Sequence, residues 1–191
     1  HGGKEAFTAK LDSLFTVSSE LAGDRISSDI SGLIGQYAHG NEPSHHITHL
    51  YNYVGEPWKT QRLVDSILRN LYFADPNGLA GNEDCGQMSA WYILNAMGFY
   101  SVAPASGVYS LGRPIFDRVR IRLPEGRSFE IVTRNNSRGN KYIQRVVLNG
   151  EPMDTPFFTH RTLMNGGVME IEMGPEPNEG FRGEPIAADT L

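Results

Sequence analysis

The sequence predicts an α+β fold in which helices come first and strands follow. Apolar residues recur at helical spacing over the first hundred positions, most clearly in the segment 58–72. After residue 105 the pattern changes to strict alternation, as in the segment 118–123. We therefore predict a helical part over 1–104, a β-rich part over 105–175 and an irregular tail over 176–191.

The helical part divides into helix-like segments and one short apolar stretch. The helix-like segments are 4–15, 43–53, 58–72 and 86–97, and the apolar stretch is 31–38. Pro43 fits the first position of its helix, because the N–H that proline lacks would be unpaired there in any case. Gly98 follows the last of these segments, and a glycine at that place is typical of a helix end.

The β-rich part contains four predicted strands. They span 118–123, 128–134, 142–148 and 168–173. The first two flank a turn that contains Pro124 and Gly126, so we expect them to pair as a hairpin. The third ends at Asn149-Gly150, a dipeptide typical of tight turns.

The composition excludes several classes of protein. The 191 residues include 17 Lys and Arg against 22 Asp and Glu, and this net charge of −5 argues against nucleic-acid binding, which needs clustered cations. No apolar run approaches the roughly 20 residues of a membrane-spanning helix. The single cysteine, Cys85, excludes an internal disulfide and a cysteine-rich zinc site.

Polar residues suited to metal binding occupy the loop 39–46. Asn41 and Glu42 offer oxygen ligands of the kind that Ca²⁺ or Mg²⁺ prefers, and His39 suits a hydrogen bond to a polar ligand. The competing interpretation is that Asn41 or Glu42 caps the helix that starts at Pro43. The loop sequence alone leaves both interpretations open.

Three histidines at the end of this loop suggest zinc at first sight. His45 and His49 lie four positions apart and would share a helix face. The metalloprotease pattern requires a glutamate directly after the first histidine, where this sequence has His46. We therefore interpret these side chains as surface histidines or as histidines bonded within the protein.

Two adjacent carboxylates lie in the glycine-rich loop 78–87. Asp84, followed three positions later by Gln87, resembles a capping box at a helix start. A carboxylate at a helix N-terminus stays ionised near neutral pH, as a general base must. Asp84 is therefore a cap, a general base, or both if one of its oxygens remains open to water. Cys85 has no histidine fixed beside it in sequence, which disfavours a nucleophilic role.

The two loops resemble those of glycoside hydrolase family 92. The resemblance rests on the strings QYAHGNEPSHH at 36–46 and GNEDCGQMSAWY at 81–92. Shorter similar strings stand at 51–53, 57–61, 98–100, 112–117 and 148–150, so the resemblance runs from about residue 2 to residue 178. Bacterial members of this family are α-mannosidases, and the resemblance implies an exo-acting, Ca²⁺-dependent enzyme that inverts the anomeric centre.

The resemblance also implies an architecture. Family members have an N-terminal β-sandwich domain and a catalytic domain built as an (α/α)₆ barrel, and this chain resembles only the C-terminal part of the catalytic domain. The helices of 4–98 would then close the barrel, and the later strands would pack beside it. Because a partial barrel exposes apolar helix faces, we expect the remainder of the parent polypeptide or a partner chain to cover them.

The resemblance assigns the catalytic base to the acidic loop. The base falls on Asp84, with Glu83 as the second candidate, and Asn82 stands where many relatives have a further acidic residue. The general acid of the family is a glutamate upstream of the similar region, and no residue of this chain matches it. The isolated chain is therefore expected to lack one half of the catalytic pair.

The resemblance assigns the metal and part of the sugar site to the first loop. It implies Ca²⁺ ligands at Asn41 and Glu42, together with Gln87 from the second loop, and it places His39 beside the departing sugar. Gly40 is included in this sugar site. Some α-1,2-specific members have an acidic residue in place of Gly40, so no linkage preference is implied.

Two functions of different classes follow. The chain is either part of an α-mannosidase that contributes base and metal ligands, or a non-catalytic sugar-binding or packing module that is inactive without its upstream half. For the enzyme, we expect a mannose-containing glycan as substrate and a periplasmic or secreted location. The chain starts at His1, so we expect its targeting signal to lie outside it.

Overall fold

The computed structural model describes residues 2–21, 27 and 30–188. Positions 1, 22–26, 28–29 and 189–191 lie outside the described residues. They belong to the predicted helical part and to the predicted tail. The predicted α+β class is confirmed. The helices are α1 (Lys4–Thr16), α2 (Leu50–Tyr53), α3 (Pro57–Asn70), α4 (Gln87–Met97) and α5 (His160–Asn165).

The strands form two sheets and a short hairpin within the described residues. They are β1 (Leu33–Ile34), β2 (Tyr37–Ala38), β3 (Phe99–Tyr100), β4 (Val108–Leu111), β5 (Arg118–Arg122), β6 (Ser128–Arg134), β7 (Tyr142–Leu148), β8 (Glu151–Met153), β9 (Phe157–Thr159) and β10 (Gly167–Gly174). The larger sheet has the order β5-β6-β10-β7-β8, and the smaller one has the order β3-β4-β9. The last strand, β10, lies in the middle of the larger sheet, parallel to β6 and antiparallel to β7.

Two predictions for the helical part are wrong. The apolar stretch 31–38 lies in a part predicted to be helical, but it forms the β1–β2 hairpin, whose turn uses Gly35 at a positive φ of 60°. The segment 43–53 was predicted as one helix. It is broken into the 3₁₀ turns Glu42–Ser44 and Ile47–His49 followed by the short helix α2.

The long predicted helices and strands are confirmed, because their patterns match the faces that they bury. On α3 the stripe of buried apolar residues is Leu63, Val64, Ile67 and Leu68. This stripe packs with Tyr37 and Trp91 in a helical core. A second core fills the face of the larger sheet, and it is built from residues such as Phe129, Ile131, Ile143, Met169 and Ile171.

Polar bonds join the helical layer to the sheets. The side-chain oxygen of Gln61 on α3 accepts the backbone N–H of Ile143 on β7 at 2.9 Å. The buried guanidinium of Arg113 lies between Asp65 on α3, at 3.1 Å from its Oδ1 atom, and the carbonyl of Ser137, at 2.7 Å. Because buried polar groups need their hydrogen-bond partners, these contacts fix the position of α3 relative to the larger sheet and the loop of Ser137.

From residue 176 to residue 188, the last that the structure describes, the tail is irregular. It is nevertheless attached to the sheet, because the ring of Phe181 is buried in the sheet core. The N–H of Gly183 also donates to the carbonyl of Asp154 at 2.9 Å. In the part of the chain that the structure describes, no helix has the length and apolar character needed to cross a membrane.

Candidate functional site

The two polar loops of the helical part lie against each other. A Cβ atom placed on Gly40 would stand 2.5 Å from the carbonyl oxygen of Ala80, and one on Gly81 would stand 2.7 Å from the carbonyl oxygen of Gly40. The hydroxyl of Ser31 also donates to the Ala80 carbonyl. The loop with Asn41 and Glu42 is therefore held at backbone contact distance from the loop that leads to Asp84.

A buried chain of hydrogen bonds runs through His39 to the start of α4. The hydroxyl of Tyr72 donates to the Met88 carbonyl at 3.1 Å, so its oxygen accepts from His39 Nε2–H at 2.7 Å. Nδ1 of His39 is then unprotonated, and it accepts the hydroxyl of Tyr37 at 2.9 Å. Burial raises the pKa values of Tyr37 and Tyr72 well above that of a free tyrosine, so both hydroxyls keep their protons.

His45 continues this network toward the second loop. Its Nε2 atom is 3.0 Å from the carbonyl oxygen of His39, and its Nδ1 atom is 3.1 Å from the side-chain nitrogen of Gln87. The same Gln87 nitrogen donates to the hydroxyl of Tyr100 at 3.2 Å. The indole N–H of Trp91 donates to the backbone carbonyl of His45 at 3.0 Å, so two elements hold this histidine.

The histidines of the network are neutral at neutral pH. Burial lowers the pKa of His39 to about 3, and the neighbouring His45 adds to the shift. Burial also lowers the pKa of His45, while its bond to the His39 carbonyl and the negative charge of Asp84 oppose the shift. The influence of Asp84 on His45 is a second sign that the two loops converge.

The zinc interpretation is not supported. His49 is fully buried in a separate network, in which Nε2–H donates to Asn95 at 2.8 Å and Nδ1 accepts from Ser110 at 3.1 Å. Burial lowers the pKa of His49 to about 4. Across the described residues, no group of three or more His, Cys, Asp or Glu side chains is arranged to hold a metal ion.

The two carboxylates of the acidic turn, Glu83 and Asp84, have different surroundings. Glu83 is the residue that caps α4, since its oxygens accept the backbone N–H of Ser89 at 2.9 Å and its hydroxyl at 2.8 Å. The capping-box arrangement predicted for Asp84 and Gln87 is not formed, because the residue that precedes α4 is Gly86 and makes no side-chain cap. Asp84 is exposed, with a positive φ of 52°.

The other predicted site residues include one exposed side chain, Glu42, and two buried residues, His39 and Gly40. Asn41 does not cap the 3₁₀ turn that it precedes, and Glu42 is exposed. His39 is fully buried with both ring nitrogens bonded to tyrosines, so a ring contact to a sugar would require one of those bonds to break. Gly40 is buried between the loops. The predicted sugar contacts of His39 and Gly40 stay predictions.

Gln87 lines a cleft of about 400 Å³ between α4 and the loops near the smaller sheet. Its other walls include Trp91, Tyr100, Tyr109 and His160. No local pattern indicates the parts played by Tyr72 and Ser89, because their partners are defined by the tertiary fold.

The chain belongs to glycosyl hydrolase family 92. The model of the family's catalytic domain matches residues 1–175. The structure is similar to that of the family GH92 α-mannosidase BT3965 from Bacteroides thetaiotaomicron in complex with mannoimidazole, with a TM-score of 0.86 and 43% identity over 93% of this chain and 23% of that one.

Two further relatives agree with this assignment. The family GH92 inverting mannosidase BT2199 from Bacteroides thetaiotaomicron VPI-5482 has a TM-score of 0.82 and 35% identity, over 98% of this chain and 27% of that one. An uncharacterised secreted glycosidase of Arthroderma benhamiae is 29% identical over 96% of this chain and 22% of its own length. The chain therefore spans about a quarter of the length of these relatives.

Proposed function

We propose that this chain is the C-terminal part of the catalytic domain of an exo-acting, Ca²⁺-dependent, inverting α-mannosidase. Its helices would close an (α/α)₆ barrel. The observation that supports the proposal is the backbone contact between Gly40 and the segment Ala80–Gly81, which holds the loop of Glu42 beside the loop of Asp84. Both carboxylates are exposed. The names of the two similar mannosidases support the substrate class.

The proposed catalytic base is Asp84. An inverting glycosidase needs a carboxylate that activates water and a carboxylic acid on the opposite side of the bond, roughly 6.5–9.5 Å away. Glu83 is the weaker candidate for the base because both of its oxygens are bonded to Ser89. The general acid would come from the part of the polypeptide outside this chain, so the isolated chain would be inactive.

The side chains that we propose as ligands suit Ca²⁺ in part. Asn41, Glu42 and Gln87 offer one carboxylate and two amide oxygens, which are ligands that Ca²⁺ accepts, but its usual shell has about 6–8 oxygens. The remaining ligands would come from the rest of the protein, from substrate hydroxyls and from water. A bound Ca²⁺ would supply positive charge that favours the flattened, oxocarbenium-like sugar of the transition state.

The partners of the chain follow from this proposal. The substrate would be a mannose-containing glycan, and the remainder of the polypeptide would cover the apolar cleft of about 400 Å³ that includes the exposed Phe73 and Ile93. We propose a secreted or periplasmic location in a bacterium, and the fungal relative named as secreted is consistent with export.

Substitutions at three neighbouring positions test the base assignment. In the full-length protein, we expect Asp84→Asn to lower kcat for an aryl α-mannoside by about 10²–10⁴-fold, as for the loss of a general base. Glu83→Gln should mainly lower stability by weakening the cap of α4, and the exposed Cys85→Ser is the matched control in the same turn. An Asp84→Asn protein with normal kcat would contradict the assignment.

The same protein tests the metal and the alternative function. Removal of Ca²⁺ with EDTA should abolish most hydrolysis and its return should restore it, while NMR of the first product should show the inverted anomer. The alternative is a non-catalytic sugar-binding or packing module. It predicts that this part of the protein contributes no catalytic group, so that full-length protein with Asp84→Asn and an intact fold keeps its kcat.

A further inference from the structure

The buried histidine His45 contacts the side-chain amide of Gln87, a proposed metal ligand. We propose that His45 is a positioning residue that turns the NH₂ group of Gln87 toward the protein interior and its carbonyl oxygen toward the proposed cation. This inference rests on the proposed function, because it takes Gln87 as a Ca²⁺ ligand. An amide can bind a cation only through its oxygen, so the two orientations of this side chain are not equivalent.

The position of the His45 proton follows from its partners. Nε2 lies 3.0 Å from the carbonyl oxygen of His39, which can only accept, so Nε2 carries the hydrogen. Nδ1 lies 3.1 Å from the side-chain nitrogen of Gln87, which can only donate, so Nδ1 is the acceptor of this pair. The side-chain group of Gln87 that faces Nδ1 at 3.1 Å must then be the NH₂ donor, because a carbonyl oxygen there would meet the lone pair and be repelled.

The second amide proton of Gln87 strengthens this orientation. The Gln87 nitrogen is also 3.2 Å from the hydroxyl oxygen of Tyr100, so both of its protons have acceptors. Both of these contacts use the nitrogen of the Gln87 side chain and neither uses its carbonyl oxygen. The donors of the amide are therefore satisfied by the protein, and its acceptor remains for a ligand.

The surroundings of His45 prevent its ring from turning. The ring stacks on His39 with centroids 4.8 Å apart, and the indole of Trp91 bonds the His45 backbone. His39 is in turn tied through Tyr72 to the carbonyl of Met88. Since Met88 follows Gln87 on α4, the bonds form a closed circuit that begins and ends at the first turn of that helix.

A double substitution separates orientation from general support. In the full-length protein, His45→Ala should weaken Ca²⁺ binding, measured by calorimetry, by about 10–100-fold, which is typical for loss of a partner that orients a metal ligand. Gln87→Glu presents an oxygen in either orientation. The same His45→Ala change made in the Gln87→Glu protein should therefore weaken Ca²⁺ binding by much less.

The controls make each outcome decisive. His45→Asn keeps an oxygen acceptor near the position of Nδ1 and should retain more Ca²⁺ affinity than His45→Ala, and the adjacent His46→Ala should leave the affinity unchanged. Equal losses from His45→Ala with Gln87 and with Glu at that position would show a merely structural role and overturn the inference. If the unaltered full-length protein binds no Ca²⁺, the metal role in the proposed function fails, and this inference fails with it.

Discussion

The contact between the two loops predicts a specific effect of Gly40→Ala. The added methyl group would stand 2.5 Å from the Ala80 carbonyl oxygen and 2.0 Å from the Ser31 hydroxyl oxygen. Ser31 can rotate its hydroxyl away, but the Ala80 oxygen belongs to the backbone. The second loop must therefore move by about 0.9 Å, from 2.5 Å to the 3.4 Å at which ordinary contacts begin.

The size of that displacement sets two expected magnitudes. Overpacking of this kind destabilises proteins by about 1–3 kcal/mol. The displaced segment leads to Asp84, and a misplacement of about 1 Å in an active site can lower the rate by about 10²-fold. We therefore expect Gly40→Ala to lower both the free energy of unfolding and kcat.

Denaturant unfolding and steady-state kinetics of the full-length protein measure these effects. Gly139→Ala is the matched control, because a methyl group there meets its nearest atom at 3.9 Å and the free energy of unfolding should change by less than about 0.5 kcal/mol. If Gly40→Ala raises only KM and leaves stability and kcat unchanged, Gly40 contacts the sugar and the packing explanation is wrong.

Two further predictions concern buried polar groups. The pKa of His49 is about 4 in the folded protein and about 6.5 in the unfolded chain, so acid protonates the unfolded chain first. The contribution of His49 to the free energy of unfolding is therefore complete above pH 6.5 and falls by about 3 kcal/mol as the pH drops to 4. His49→Gln should remove this part of the pH dependence in unfolding titrations. Arg113→Ala removes a buried guanidinium beside Asp65 and leaves the Ser137 carbonyl without this donor, while Asp65 keeps its bond to Arg69. We expect a loss of about 1–3 kcal/mol in denaturant unfolding. The exposed Arg118→Ala should cost less than about 1 kcal/mol. A flat pH response for unaltered protein, or equal losses for the two arginines, would contradict these expectations.

The sequence predicted those elements whose pattern reports a buried face. The alternation of 118–123 and 128–134 predicted the β5–β6 hairpin, and its register pairs Arg120 with Glu130. Two of the three arginines on one face of β5, Arg118 and Arg120, both bond that glutamate. The helices α3 and α4 were predicted for the same reason.

Short elements and distant pairings could not be predicted in this way. The strands of the smaller sheet and of the β1–β2 hairpin have two to four residues, too few to show a period. The central place of β10 depends on its pairing with β6, which lies more than thirty positions earlier. The bond between His39 and Tyr72 joins residues 33 positions apart, and nothing in either local sequence indicates it.

Contacts formed by the tertiary fold also explain why the acidic turn keeps an unfavourable backbone conformation. Asp84 and Cys85 both have positive φ, at 52° and 56°, a conformation that residues other than glycine adopt at a cost of about 1–2 kcal/mol each. Such a turn persists only when its surroundings determine it from both sides. On one side Glu83 is bonded to Ser89, and on the other Gln87 is bonded to His45. These two anchors flank the turn, so the bonds that begin α4 also hold Asp84 and Cys85 in their unfavourable conformation.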